Sequence, residues 1–123
     1  MILDSNIVIY AAAPEGERLR ELLSRESPVV SAISYVEVLG FHRLLEPEKT
    51  YLEAFFKIVE QLPLDPLVLQ QAVALRQKRK MGLGDALIAA TALVHHHTLV
   101  TRNTADFAWV PGLQLLDPYL SDE

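Results

Sequence analysis

A chain of 123 residues, half of them hydrophobic and none of them cysteine, has the size of one domain with one core, and it can build neither a disulfide framework nor a thiolate zinc site. Sixteen acidic against eleven basic residues leave a net charge of −5, which excludes a molecule-wide basic field for nucleic acid, so any such contact must be local. A mean hydropathy of +0.19 hints at apolar surface covered by a partner or a second copy, while the longest apolar run, ALIAATALV, is too short to cross a bilayer and MIL at the start has no basic leader before it, so a cytoplasmic protein without a membrane segment is expected.

Strand-like and helical patterns alternate from there on. MIL at 1–3 reads as the first strand, with Asp4, Ser5 and Asn6 directly after it and the apolar IVIY beyond. Residues 16–25 carry Leu19, Leu22 and Leu23 at helical spacing with charges on the other side. PVV at 28–30 is the second strand, and Ser34-Tyr35-Val36-Glu37 just after it fits a capping box. Pro47 suits the first turn of a helix whose apolar face uses Leu52, Phe55, Phe56 and Val59. LPL at 62–64 is the third strand; Asp65 then caps a helix from Pro66, with Leu69, Val73 and Leu75 inward and the charged RQKRKMG at its end. GLGDALIAATALV at 82–94 predicts a tightly packed helix with one charge, Asp85, in its first turn. TLV at 98–100 and LQLL at 113–116 complete five strand candidates. Strands alternating with helices give βαβ units, hence a single-domain three-layer α/β/α architecture over 1–123 with a mainly parallel sheet of about five strands.

In such a sheet functional groups collect beyond the carboxyl ends of the strands. Asp4 follows the first strand, Glu37 the second, and Thr101, Asn103 and Asp106 the fourth, while Asp85 starts the helix that feeds the fourth. Four acids from distant parts of the chain therefore converge. Each has a bland account: a solvated loop acid for Asp4, the capping box for Glu37, a favourable helix dipole for Asp85, and an Asx-type turn with Asn103 for Asp106. Gly82 and Gly84 tip the balance at Asp85, because a backbone without side chains can bring a carboxylate close to something else. His95, His96 and His97 point about 100° apart on a helix, so they read as a helix end rather than as one chelating set. Arg76, Lys78, Arg79 and Lys80 are either a solvated helix end or a local strip for RNA phosphates.

Crowded carboxylates repel and take up protons unless a cation intervenes. A set of oxygens alone suits a hard ion, Mg²⁺ or Mn²⁺, and the reaction that needs such a site is phosphodiester cleavage. Asp4 in ILDSN, Glu37 after SAISYVE, Asp85 in GLGDALIAATAL and Asp106 in LVTRNTADF resemble the acidic motifs of the PIN-domain nucleases, and among these the VapC-type toxins of toxin–antitoxin pairs. The resemblance runs nearly end to end. It implies a metal-dependent endoribonuclease, a homodimer neutralised by a cognate antitoxin whose tail occupies a groove near the active site. It makes Asp4, Glu37, Asp85 and Asp106 the acidic quartet, with Asp4, Asp85 and Asp106 as metal ligands, Asn6 and Asn103 as polar neighbours and Ser5 in a place that commonly holds threonine. Two rivals remain: a receiver-like Mg-binding signalling domain, with Asp65 as the aspartate after the third strand, and a PIN-like fold that binds without cutting. Tyr10, Phe41, Phe55 and Phe56 are candidates for a dimer face, although the last two suit the core better.

Overall fold

Short uninterrupted runs of Ile, Val and Leu suit strands buried on both faces, and in the computed structural model, which describes residues 1–120, they form one sheet. Its strands are β1 (Ile2–Leu3), β2 (Val29–Ser31), β3 (Glu60–Leu62), β4 (Leu99–Val100) and β5 (Leu115–Leu116), ordered β3-β2-β1-β4-β5 with every pairing parallel. Register fixes which core each side chain joins. Ile2 lies beside Val29 and Leu99, and these three face one apolar cluster, while Leu3, Val30 and Val100 face the other, because successive side chains on a strand point to opposite faces.

The helices are α1 (Ser5–Ala12), α2 (Glu17–Glu26), α3 (Ala32–Leu39), α4 (Glu46–Ile58), α5 (Pro66–Lys78), α6 (Leu83–His95) and the single turn α7 (Thr104–Phe107). Helices α5 and α6 cover the first face through Val68, Ala72, Leu75, Ala86, Ala89 and Ala90. Ile7, Val8 and Ala11 of α1, Leu19 and Leu23 of α2, and Leu52 and Phe56 of α4 cover the second. The exception is α3. Its Ile33 packs against the first cluster and its Val38 belongs to the second, so it runs across the carboxyl rim of the sheet, against both α1 and α6. Asp65 caps α5 as the sequence predicts, its Oδ1 accepting from the Val68 amide at 3.0 Å. Among the described residues no helix is long and apolar enough to cross a membrane.

Three expectations need correction. The third strand is Glu60–Leu62 rather than 62–64, because Pro63 has no N–H to continue the ladder. Leu69 and Val73 are exposed, and α5 buries Val68, Ala72 and Leu75 instead. Alanines on α6 let the two helices approach closely, and the 68–72–75 row with its own alanine is the one that fits between them. Finally, α3 begins at Ala32, capped by Ser31, whose hydroxyl accepts from the Ile33 amide. Ser34 and Glu37 therefore lie within the helix and form no capping box.

Candidate active site at the carboxyl edge of the sheet

Asp4 is the residue at which β1 turns into α1, and it is buried to 4% exposure. Burial pushes its carboxyl above the usual carboxylate range, and the neighbouring Asp106 adds to the rise. Opposing this, the Thr101 hydroxyl donates to Asp4 Oδ2 at 2.8 Å, and the amides of Ser5 and Asn6 favour the charged form. Thr101 is itself fully buried just beyond β4, and its oxygen also accepts from the Asn103 amide at 3.0 Å. One hydroxyl thus ties the first acid to the segment that carries the fourth.

The helical positions of Ser34 and Glu37, three residues apart, put both side chains on the face of α3 that meets α1. Ser5 Oγ donates to Glu37 Oε1 at 2.7 Å and lies 2.8 Å from Ser34 Oγ. Ser5 has one hydroxyl proton and gives it to the carboxylate, so Ser34 must be the donor to Ser5. The other side of the Glu37 carboxylate rests on α6. A Cβ at Gly84 would overlap Glu37 Oε2 and stand 2.9 Å from its Cδ, so only with glycine here can the Glu37 carboxylate keep this position against the turn that presents Asp85. Burial, followed by the charges of Asp4, Glu37 and Asp106, pushes Asp85 up to about 6. Every charge acting on Asp85 in that set is negative. The four acids are one electrostatic unit.

Asp106 and Asn103 are exposed on the rim. Phe107 and Val110, both buried, and the half-buried Trp109 fasten this segment to the first core cluster. The Asx-type turn is not made: Asn103 precedes α7 without a side-chain cap, and the bond that closes the turn runs from the Asp106 amide to the Asn103 carbonyl. Asn6 is exposed in the first turn of α1. The three histidines lie elsewhere, at the end of α6 away from Asp85, where His96 takes the left-handed conformation that terminates the helix. On the basic strip, Arg76 Nε donates to the Met81 carbonyl at 3.1 Å and the Arg79 guanidinium stacks 5.1 Å over Trp109, which places its end beside the Asp106 segment. The sequence reading made Ser34 half of a capping box and placed Thr101 beyond the fourth strand without a partner, whereas the two hydroxyls serve Ser5 and Asp4. The signal for both was a hydroxyl at the carboxyl rim of a buried strand or helix.

Among the described residues no three His, Cys, Asp or Glu side chains form a set able to hold an ion by themselves. A closed chelate, as structural zinc requires, does not fit this site. Mg²⁺ does fit, since it is commonly held by one or two carboxylates with waters and substrate phosphate completing its shell. The oxygen-only donors and the mutual repulsion at Asp85 agree with that chemistry.

The parallel α/β fold thus gathers a cluster of acids at the carboxyl rim, the edge at which sheets of this kind place their functional sites. The PIN domain family matches residues 1–113, and the chain belongs to that family. It is 28% identical over 134 aligned positions to the protein named Ribonuclease VapC of Rickettsia bellii, covering 99% of this chain and 98% of that one. It is 29% identical over 126 positions to the tRNA(fMet)-specific endonuclease VapC of Shigella flexneri, covering 94% and 96%. A toxin–antitoxin complex from Klebsiella pneumoniae contains a chain of the same fold, with a TM-score of 0.79 at 29% identity over 96% of this chain and 97% of that one.

Proposed function

We propose that this protein is a metal-dependent endoribonuclease that hydrolyses RNA phosphodiester bonds, the toxin half of a cytoplasmic type II toxin–antitoxin pair. The observation that carries the reading is the common effect of Asp4, Glu37 and Asp106 on Asp85: four acids spend their repulsion in one place, which a mere binding module has no use for. Family membership and the names of the relatives support the same chemistry. Asp4 and Asp85 would hold Mg²⁺ or Mn²⁺ together with waters and substrate phosphate, and Asp106 would reach the ion through water. A hard cation bound there supplies charge neutralisation and a water of lowered pKa.

The remaining work belongs to the chain. Thr101 fixes Asp4 in direction and favours its charged form against the opposing effect of burial. Ser34 orients Ser5, and Ser5 holds one oxygen of Glu37, leaving the carboxylate to take the proton of an attacking water. Asn6 and Asn103 offer amide donors to phosphate oxygens at the rim. Arg76, Lys78, Arg79 and Lys80 line the approach of the RNA backbone. The antitoxin would anchor in an apolar groove of about 540 Å³ between α2 and α4, lined by Leu23, Phe55, Ile58 and Val59; Pro28, Val29 and Glu60 place this groove at the amino ends of β2 and β3, away from the acids, so only a tail running on from it would reach the position the sequence reading expects. A homodimer would use exposed apolar flanks such as Leu69 and Val73 of α5. Phe56 is in the core, whereas Tyr10 and Phe41 are exposed and would be open to such a contact.

The receiver-like alternative loses its key residue: the Asp65 carboxylate is occupied in capping α5. The deciding experiment is cleavage of mixed RNA by the purified chain with Mg²⁺ or Mn²⁺. Products should appear with the metal, vanish with chelator and be absent for Asp4→Asn. Cleavage that ignores the chelator or survives Asp4→Asn would refute the reading.

A further inference from the structure

Arg102 sits between Thr101, which holds Asp4, and Asn103. Its guanidinium carbon is 4.2 Å from the ring centroid of Tyr119 and 5.4 Å from that of Tyr10, and the two rings meet edge-on with centroids 6.4 Å apart. Among the described residues these rings are its contacts, and no carboxylate is paired with it. A cation with no ion-pair partner among the described residues, next to the threonine that holds Asp4, stands out in a chain of net charge −5. A guanidinium held over aromatic rings keeps its charge, and it carries five N–H donors with which to bind an anion. Both tyrosines are exposed residues, Tyr10 at 37% and Tyr119 at 44%. Tyr10 is four residues beyond the exposed Asn6 on α1, so the two share a helix face, and that face leads from the tyrosine cluster to the acids. The Arg79–Trp109 pair lies on the other side of the Asp106 segment, packed on the first core cluster, whereas α1 covers the second. Arginine–aromatic pairs thus flank the acids from both layers.

We propose that Arg102, Tyr10 and Tyr119 form a subsite for one unpaired nucleotide next to the scissile phosphate, the guanidinium edge taking its phosphate and an exposed tyrosine ring the face of its base. The nucleotide is unpaired because a base within an A-form helix shows no face to a side chain, whereas a splayed base stacks on aromatic rings. This inference rests on the reading of the protein as a ribonuclease. The contrasting role is a clasp that fastens the segment after β5 to α1, which would matter for melting and not for RNA.

The test is fluorescence anisotropy of a labelled single-stranded oligoribonucleotide, and of the same sequence as a duplex, with the full chain in chelator so that nothing is cut. Arg102→Ala and Tyr10→Leu should each weaken single-strand binding about tenfold and leave duplex binding where the control Arg25→Ala leaves it. Tyr10→Leu changes an exposed helix position, so its effect is read without loss of fold, and melting curves accompany each variant. Wild-type binding that neither substitution moves would overturn the subsite alone, as would melting that shifts while affinity stays. A wild type that binds no RNA would overturn the subsite together with the reading beneath it.

Discussion

Glycine 84 is where the site is tightest. A methyl group there would meet the Glu37 carboxylate, yet the Gly84 backbone is ordinary helix and alanine would favour it by up to about 1 kcal/mol. Glu37 is exposed and can swing aside, so Gly84→Ala should leave the melting temperature nearly unchanged while cleavage falls at least tenfold, because the displaced carboxylate loses its Ser5 hydrogen bond. Paired melting and cleavage measurements decide it; full activity would remove Glu37 from the mechanism. The sequence showed the glycine and the glutamate but not that they touch. Ser34 was misread for the same reason: serine three residues before glutamate satisfies a local capping rule, and only the position of the helix start reveals that its hydroxyl serves Ser5.

At the scale of elements, two helix ends do opposite electrical work. The start of α6 brings amide dipoles to Asp85, which favour its charge but do not outweigh burial and three other carboxylates. The end of α5 and the loop beyond it carry Arg76, Lys78, Arg79 and Lys80, where cations complement the negative pole. If those cations also meet RNA, replacing Lys78, Arg79 and Lys80 by alanine should flatten the slope of log affinity against log salt by up to about 2, at roughly 0.7 per single-strand phosphate contact. An unchanged slope would leave the strip as a solvated helix end. The strands, the cap at Asp65 and the buried helix after Gly84 were legible because they depend on neighbours in sequence. The buried face of α5 was not, since Leu69 and Val73 are as apolar as Val68 and the choice rests with the alanines of α6.

For the whole molecule, the acid cluster sets a charge problem that folding creates. Asp85 titrates at about 6 in the folded chain against 3.8 for an ordinary aspartate, so between these values the folded state binds more protons than the unfolded one. Stability therefore falls as pH rises through that window, and the raised Asp4 acts in the same direction. For a half-buried group that water still screens, the Asp85 effect is on the order of 1 kcal/mol. In chelator, Asp85→Asn should melt like the wild type below pH 4 and higher than it at pH 7, and added Mg²⁺ should raise the wild type more than the variant. A variant that melts lower at pH 7 would contradict the cluster.

The amino-acid sequence by itself determined the order of strands and helices, the parallel α/β architecture and the four acids, because apolar periodicity, caps and the placement of polar residues after strands are written locally. Only the tertiary structure decided which hydroxyl holds which carboxylate, that α3 crosses the rim to carry Glu37 against Gly84, and that Arg102 rests on two tyrosines more than ninety and within twenty positions away. Those pairings join residues far apart along the chain, and their partners are set by how the helices pack on the sheet.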